Sequence, residues 1–151
     1  MHSVSNAEAS PRVSVITVVY NNKDTIDKTL VSVLEQDYAN LEYIVVDGNS
    51  TDGTRTVLAK RKDKISHLVS EQDSGIYDAM NKGVGIATGE WLCFMNSGDT
   101  FYSSQTVSGV FSSFPEDVDI IVGQTVADYG YTKQITKTGI MVDSTIAMPF
   151  C

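Results

Sequence analysis

The fold is decided by the stretch VSVITVV at residues 13–19, which is β-branched and apolar almost without interruption. A continuous run of this kind is typical of a strand that is buried on both faces of a parallel sheet. From residue 24 onward the apolar residues recur with the period of a helix, at Ile26, Leu30, Val33 and Leu34. Residues 24–37 are therefore predicted to form an amphipathic helix behind the first strand.

The same alternation continues downstream. Further strands are predicted at residues 43–46, 65–69 and 91–95, with a short basic helix ending at Lys62 after the second of the four strands. Another helix is predicted from Ile76 to Gly89, where the glycine would serve as a left-handed C-cap.

After Asp99 the patterns weaken, and they predict a helix at 104–113, a strand at 119–122 and a hairpin within 124–137. Strands that alternate with helices of this length favour right-handed crossovers. We therefore expect an α/β fold with a mostly parallel open sheet and helices on both faces.

Length and composition indicate one domain, since 151 residues of which 42% are hydrophobic can build one core of ordinary size. Residues 1–10 are expected to be a disordered extension or an expression remnant, and residues 11–151 the domain itself. No stretch approaches the length of a membrane-spanning helix, and the two cysteines form no metal spacing or disulfide framework, so a cytoplasmic protein is expected. The formal charge of −8 argues against nucleic acid as a partner.

Polar residues follow each predicted strand, at the edge where an open parallel sheet binds its ligands. Asp47 and Asp99 come directly after buried strands, where an uncompensated carboxylate is costly. Asp47 could accept hydrogen bonds from a uracil or a ribose, and the ring of Tyr20 offers a face for the base. Asp99 lies on a Gly-containing turn and could hold Mg²⁺ or Mn²⁺ against a pyrophosphate.

The remaining polar residues of these turns have a simpler interpretation as turn formers and helix caps: Asn22, Ser50 and Asp52. Other nucleotide motifs are missing from the sequence, which has no G-x-x-x-x-G-K-[ST] and no glycine in the first strand–helix turn. Neither histidine has neighbours at ligand spacing, so a histidine metal site is not expected.

Several segments, taken together, resemble the family 2 glycosyltransferases. They are PRVSVITVVYN at residues 11–21, VVDGNSTDGT at 45–54, SEQDSGIYDAMNKG at 70–83, and ATGEW at 87–91 leading into NSGD at 96–99. The resemblance is greatest to bacterial enzymes that build capsule, exopolysaccharide or lipopolysaccharide chains, and it covers most of residues 11–101.

The resemblance implies a GT-A-like fold in which Tyr20, Asn21, Asp47 and Asp73 line the nucleotide and Asp99 binds the metal ion. It implies an inverting transfer of a sugar from a nucleotide diphosphate, expected to be a UDP-sugar, to a glycan or lipid-linked acceptor. The D-x-D-D signature of the family is reduced here to its last aspartate, because Asn96 and Gly98 replace two acidic residues.

The acceptor-binding part of the family, with its catalytic base, would lie beyond Cys151, so the catalytic residue stays unknown and this chain alone is expected to transfer no sugar. The missing part could also attach the protein peripherally to the inner membrane. Two other functions stay open: a non-catalytic nucleotide-binding module, and a nucleotidyltransferase on a related sheet. The latter would need a Gly-rich basic loop after the first strand, which residues 20–24 are not.

Overall fold

The computed structural model describes residues 10–112, 118–128, 130, 133–136 and 140–143. In chain order its elements are β1 Val13–Val19, α1 Ile26–Leu34, β2 Leu41–Asp47, α2 Thr54–Ala59, a 3₁₀ turn Lys62–Lys64, β3 His67–Ser70, α3 Ile76–Ile86, β4 Trp91–Phe94, α4 Thr106–Phe111, β5 Ile120–Val122, β6 Thr125–Asp128, β7 Lys133–Thr136 and β8 Ile140–Asp143. Apart from Ser10, the predicted N-terminal extension falls outside the described residues, as does Cys151.

The main sheet has six strands in the order β3-β2-β1-β4-β8-β5. The four strands from β3 to β4 are parallel, whereas β8 runs antiparallel to both of its neighbours. Strands β6 and β7 form a separate antiparallel hairpin within the predicted range. The predicted α/β fold with a mostly parallel sheet is confirmed.

Helices cover both faces of this sheet. One face packs beneath α1, α2 and α4, with Ile26, Leu30, Val33, Leu58 and Val107 all buried. The other face packs beneath α3, through Ala79 and Met80. Strand β1 supplies both layers, because its alternate residues point to opposite faces and all seven are buried.

The ends of several elements differ from the prediction. Helix α1 is shorter than 24–37, and α3 ends at Ile86 rather than at Gly89. Ile76, the apolar first residue of α3, is 49% exposed. Strand β8 was not predicted at all. The longest helix among the described residues has 11 residues, too few to cross a membrane.

Gly89 has a role other than the predicted left-handed cap, because its backbone is not left-handed. A Cβ at this position would lie 2.5 Å from Ser14 Oγ, 2.6 Å from Ser14 N and 2.9 Å from Arg12 O. The glycine is required because the chain passes directly against the start of β1 before it enters β4.

Glu42 is a buried carboxylate in the second position of β2, which begins two residues before the predicted start at residue 43. Its side chain is 1% exposed. It accepts hydrogen bonds from Ser14 Oγ, from the N–H and the hydroxyl of Thr88 (both 2.8 Å) and from Arg12 Nη2 (3.3 Å). Glu42 therefore joins three separate segments at the edge of the sheet opposite to the strand ends that carry the predicted site.

Burial raises the pKa of Glu42, but the hydrogen bonds from Ser14 and Thr88 and the charge of Arg12 outweigh this effect, so the pKa lies below its usual value. The carboxylate form is thus the one that the folded protein stabilises.

Candidate functional site

The strand ends that carry the predicted site lie level with one another. Val19 pairs with Asp47, and Asp47 in turn pairs with Ser70. The pairing continues into the loops, since Gly48 N–H donates to Val19 O (2.9 Å) and Glu71 N–H donates to Asp47 O (3.0 Å). The loops after β1, β2 and β3 therefore lie side by side at one edge of the sheet, where open parallel sheets bind their ligands.

Asp47 is completely buried at this edge. Its carboxylate accepts hydrogen bonds from the backbone N–H of Ser50 (3.2 Å), from the Ser50 hydroxyl and from the Ser70 hydroxyl (2.6 Å). These donors come from the loop after β2 and from the end of β3. Asp47 thus anchors two of the three loops beneath the surface that a ligand would contact.

Asn21 joins the loop after β1 to the loop after β2. Its backbone is left-handed, with φ of 47°, a conformation that asparagine tolerates better than most residues. Its N–H donates to Ser50 Oγ (2.8 Å), and its side-chain oxygen accepts a hydrogen bond from Thr51 N–H (2.8 Å). Ser50 also bonds Asp47. Asn21 and Asp47 are therefore linked through Ser50 in one hydrogen-bond network.

Tyr20 and Asp73 meet over Gly48. The tyrosine is 65% exposed. Both side chains lie close to Gly48: a Cβ added to this glycine would be 2.5 Å from Asp73 Oδ2 and 3.3 Å from Tyr20 Cδ2. The other oxygen of Asp73 accepts a hydrogen bond from Gly75 N–H (3.0 Å). An aromatic ring and a carboxylate are thereby placed side by side, one able to stack and the other able to accept hydrogen bonds.

The loop that carries Asp99 lies on the other side of β1. Ser97 N–H donates to Val18 O (3.3 Å), Gly98 N–H donates to the hydroxyl of Thr29 in α1 (2.9 Å), and Asn22 Nδ2 donates to Ser97 Oγ (2.8 Å). Gly98 has φ of 104°, which only glycine adopts readily. The loop is held from both sides, and the Asp99 side chain is exposed at its tip.

Asp99 belongs to no cluster of three metal-binding side chains among the described residues. Within the described part of the chain, no group of three or more His, Cys, Asp or Glu residues could hold a metal ion. One carboxylate still fits a cation that a diphosphate shares, because Mg²⁺-type ions are commonly held by one or two carboxylates together with phosphate and water oxygens.

Of the three residues interpreted as turn formers and helix caps, Asp52 behaves as predicted. Asp52 accepts hydrogen bonds from the N–H and hydroxyl of Thr54 and from Lys23 N–H. Asn22 is not the N-cap of α1, which is Thr25; its side-chain amide instead donates to Ser97 in the Asp99 loop. Ser50 and Gly48 were also missed as parts of the site, and a glycine directly after a strand-end aspartate was the one local signal that could have indicated a close approach.

Replacing Gly48 with alanine is expected to weaken nucleotide binding by about tenfold, a loss of about 1.4 kcal/mol. The added methyl group would push the Asp73 carboxylate and the Tyr20 ring out of their positions. The melting temperature should change by no more than a few degrees, because the atoms that must move belong to a flexible side chain. Calorimetric titration with UDP and a thermal melt would measure both quantities.

Gly85→Ala is the matched control. Gly85 lies in α3 and has open space where its Cβ would be, so the substitution should raise stability by about 0.5–1 kcal/mol and leave nucleotide affinity unchanged. Equal affinities for Gly48→Ala and the unsubstituted protein would show that Asp73 and Tyr20 do not bind the nucleotide from these positions.

Comparison with known proteins gives a consistent picture. The model of the family described as "Glycosyl transferase family 2" matches residues 14–150. A PGL/p-HBAD biosynthesis glycosyltransferase of Mycobacterium bovis is 32% identical over 123 residues, which are 78% of this chain and 48% of that protein. TuaG of Bacillus subtilis, a glycosyltransferase named for teichuronic acid biosynthesis, is 42% identical over 92 residues, 59% of this chain and 36% of its own length. The chain thus spans at most about half the length of these relatives.

Solved structures agree with the fold. The mannosyltransferase PcManGT of Pyrobaculum calidifontis, in complex with GDP-Man and Mn²⁺, superposes with a TM-score of 0.65 at 30% identity, over 75% of this chain and 35% of that one. TarS residues 1–349 of S. aureus, in complex with UDP, superposes with a TM-score of 0.61 at 30% identity, over 67% and 31% of the two chains. The sheet and its flanking helices are therefore those of GT-A glycosyltransferases.

Proposed function

The chain belongs to glycosyl transferase family 2, and on that premise we propose that it is the donor-binding part of an enzyme that transfers a sugar from a nucleoside diphosphate, preferably UDP, to a glycan or lipid-linked acceptor. The observation that carries this proposal is the convergence of Tyr20 and Asp73 over Gly48 at the carboxyl edge of the parallel sheet. Relatives named for teichuronic acid biosynthesis and for PGL/p-HBAD biosynthesis support a role in building bacterial surface glycans.

The four residues assigned to the nucleotide divide into two pairs. Tyr20 and Asp73 would contact it directly, the ring stacking on the base and the carboxylate accepting hydrogen bonds from the base or the ribose. Asn21 and Asp47 keep the loops together through Ser50. Asp47 is assigned this supporting role because it is not exposed at all, and Asn21 because its N–H and side-chain oxygen both bond the loop after β2.

Asp99 would hold a divalent cation, Mn²⁺ or Mg²⁺, which when bound supplies positive charge to the diphosphate leaving group. The relative PcManGT was solved with Mn²⁺, which supports this assignment. Because Asp99 is the single acidic residue of its loop, we infer that the protein binds the cation well only together with the diphosphate.

The reaction would be an inverting, single displacement in which the acceptor hydroxyl attacks the sugar carbon and the nucleoside diphosphate leaves. Deprotonation of that hydroxyl requires a base that none of the residues assigned here supplies. We place the enzyme in the cytoplasm, at the inner face of the membrane where a lipid-linked acceptor would be met; the buried free thiol of Cys93 suits a reducing compartment.

A thermal-shift panel of UDP, GDP and dTDP, each with Mn²⁺ and with EDTA, tests the proposal. At a UDP concentration of about 100 times the Kd the added stability is about 2.7 kcal/mol, which corresponds to roughly 5–10 °C for a domain of this size. We expect UDP with Mn²⁺ to give the largest shift and Mn²⁺ alone to give almost none. Asp99→Asn should abolish the increment that Mn²⁺ adds to UDP and leave the shift in EDTA unchanged.

The contrary results are equally definite. If no nucleoside diphosphate raises the melting temperature, the chain is not a donor-binding domain. If Asp99→Asn lowers the UDP shift equally in Mn²⁺ and EDTA, the residue supports its turn or touches the nucleotide and does not hold the cation. Asn96→Ala, in the same exposed loop, is the control that alters the loop without removing its carboxylate.

A further inference from the structure

The loop between β3 and α3, residues 71–75, carries Asp73 and is fastened along its length. Glu71 N–H donates to Asp47 O at the end of β2, and Ser74 N–H donates to Asp78 Oδ2 (2.9 Å) in the first turn of α3. That bond lowers the pKa of the Asp78 carboxyl, which is therefore ionised at neutral pH. The loop is thus tied to a strand at one end and to a helix at the other.

Lys82 closes this arrangement from the next turn of α3. Its ammonium donates to Gln72 O (2.8 Å) and lies 3.0 Å from Glu71 Oε1 and 3.5 Å from Asp78 Oδ2. An ammonium has three N–H donors, and three oxygens of the protein surround it here. A lysine near a diphosphate site would ordinarily be assigned to binding the phosphates. The Lys82 ammonium instead contacts oxygens of the loop and of its own helix.

We propose that Lys82 is a positioning residue for the nucleotide, holding residues 71–75, and through them the Asp73 carboxylate, against Gly48 and Tyr20. This inference rests on the proposed function, because it concerns the same binding site. A positioning role and a phosphate-binding role predict different affinities. If Lys82 positions Asp73, its loss weakens the binding of every ligand that Asp73 contacts by the same factor, whether the ligand carries no, one or two phosphates.

The test compares the affinities of uridine, UMP and UDP, measured by calorimetry in EDTA, for the unsubstituted protein and for Lys82→Met, which removes the charge and keeps most of the side-chain volume. We expect all three ligands to bind about tenfold more weakly to the variant, the effect of losing roughly one well-placed hydrogen bond to a charged group. In an Asp73→Ala background the same substitution should have no further effect, since the residue that it positions is gone. Hydrogen exchange should become faster at the amides of residues 71–75 and stay unchanged in β1 and β2.

Lys28→Met, at an exposed lysine of α1, is the matched control and should alter none of these quantities. Asp78→Ala is a second variant that releases the same loop from the other contact, and it should reproduce the uniform loss. A loss that grows from uridine to UDP would overturn the proposal, because it would mean that Lys82 meets the phosphates. The proposal would also be overturned if Lys82→Met weakened binding further in the Asp73→Ala background, or if it did not weaken binding at all.

If the unsubstituted protein binds none of the three ligands, the proposed function itself is wrong. The measurements on the unsubstituted protein alone reveal that case.

Discussion

Asp47→Ala is expected to abolish nucleotide binding and to lower the free energy of unfolding by about 2–4 kcal/mol, because each buried donor left without a partner costs about 1–3 kcal/mol. The substitution removes the acceptor of two buried donors, the Ser50 N–H and the Ser50 hydroxyl, and of the Ser70 hydroxyl, which is partly exposed. The loop after β2 and the end of β3 lose their common anchor. With Ser50 released, the loop after β1, which Asn21 ties to Ser50, no longer holds the surface that presents Tyr20. Calorimetry with UDP and urea denaturation would measure the two effects.

The variant Asp47→Asn tests whether the effect of Asp47 on nucleotide affinity is independent of its effect on folding. It keeps the shape and one acceptor oxygen, so the variant should remain folded while UDP affinity falls by at least about tenfold, the effect of losing about 1.4 kcal/mol. Ser70→Ala is the control, because it removes one donor and leaves Asp47 with its Ser50 partners. A folded Asp47→Asn protein with unchanged UDP affinity would show that Asp47 has no part in binding the nucleotide.

Glu42→Ala is expected to lower the free energy of unfolding by about 3–5 kcal/mol, because here too hydrogen-bond donors lose their buried acceptor. Glu42 lies at the edge of the sheet opposite to Asp47. The Thr88 N–H, the Thr88 hydroxyl and the Ser14 hydroxyl lose their acceptor, and Arg12 loses its counter-charge. Since small domains have total stabilities of about 5–15 kcal/mol, this change consumes a large part of the total. Urea denaturation at pH 7 measures it.

The pH dependence of stability identifies the carboxylate as the cause. Because the pKa of Glu42 is lower in the folded than in the unfolded state, its contribution is complete above the unfolded value of about 4.3 and is lost as the pH falls through the folded value. Glu42→Gln should therefore be less stable than the natural sequence at pH 7 and should lose less stability on acidification below pH 4. Glu35→Gln, an exposed glutamate after α1, should shift stability by less than about 0.5 kcal/mol. Parallel acid profiles for the natural sequence and Glu42→Gln would contradict this account.

Much of the fold could be predicted because its signals are local. The apolar run of β1 and the 3.6-residue period of α1 each lie within a single segment, and they decide strand and helix without knowledge of the rest of the chain. The placement of Asp47 and Asp99 at one edge follows equally simply, because every parallel strand ends there.

The rest depends on residues that are distant in sequence. Glu42 appears unsuited to a buried strand until its partner Thr88, 46 residues further on, is brought beside it. Gly89 has the local appearance of a helix cap, and only its contact with Ser14 reveals a close approach. Lys82 is an ordinary surface lysine by sequence, since nothing local shows that Gln72 O lies within hydrogen-bond distance. Charge partners and steric limits of this kind arise only after the chain has folded.

The position of β8 has a consequence for how the protein is made. Because β8 lies between β4 and β5, β5 has no partner among the described strands until residues 140–143 have left the ribosome. Until then the apolar β4 forms an open edge of the sheet. At roughly 5–20 residues per second this interval lasts on the order of seconds. An uncovered edge strand of this composition is a template for pairing with other chains. A nascent chain that stalls before β8 would therefore expose the edge of β4, Trp91–Phe94, to chains on neighbouring polysomes. The pairing of β8 with β4 covers this edge.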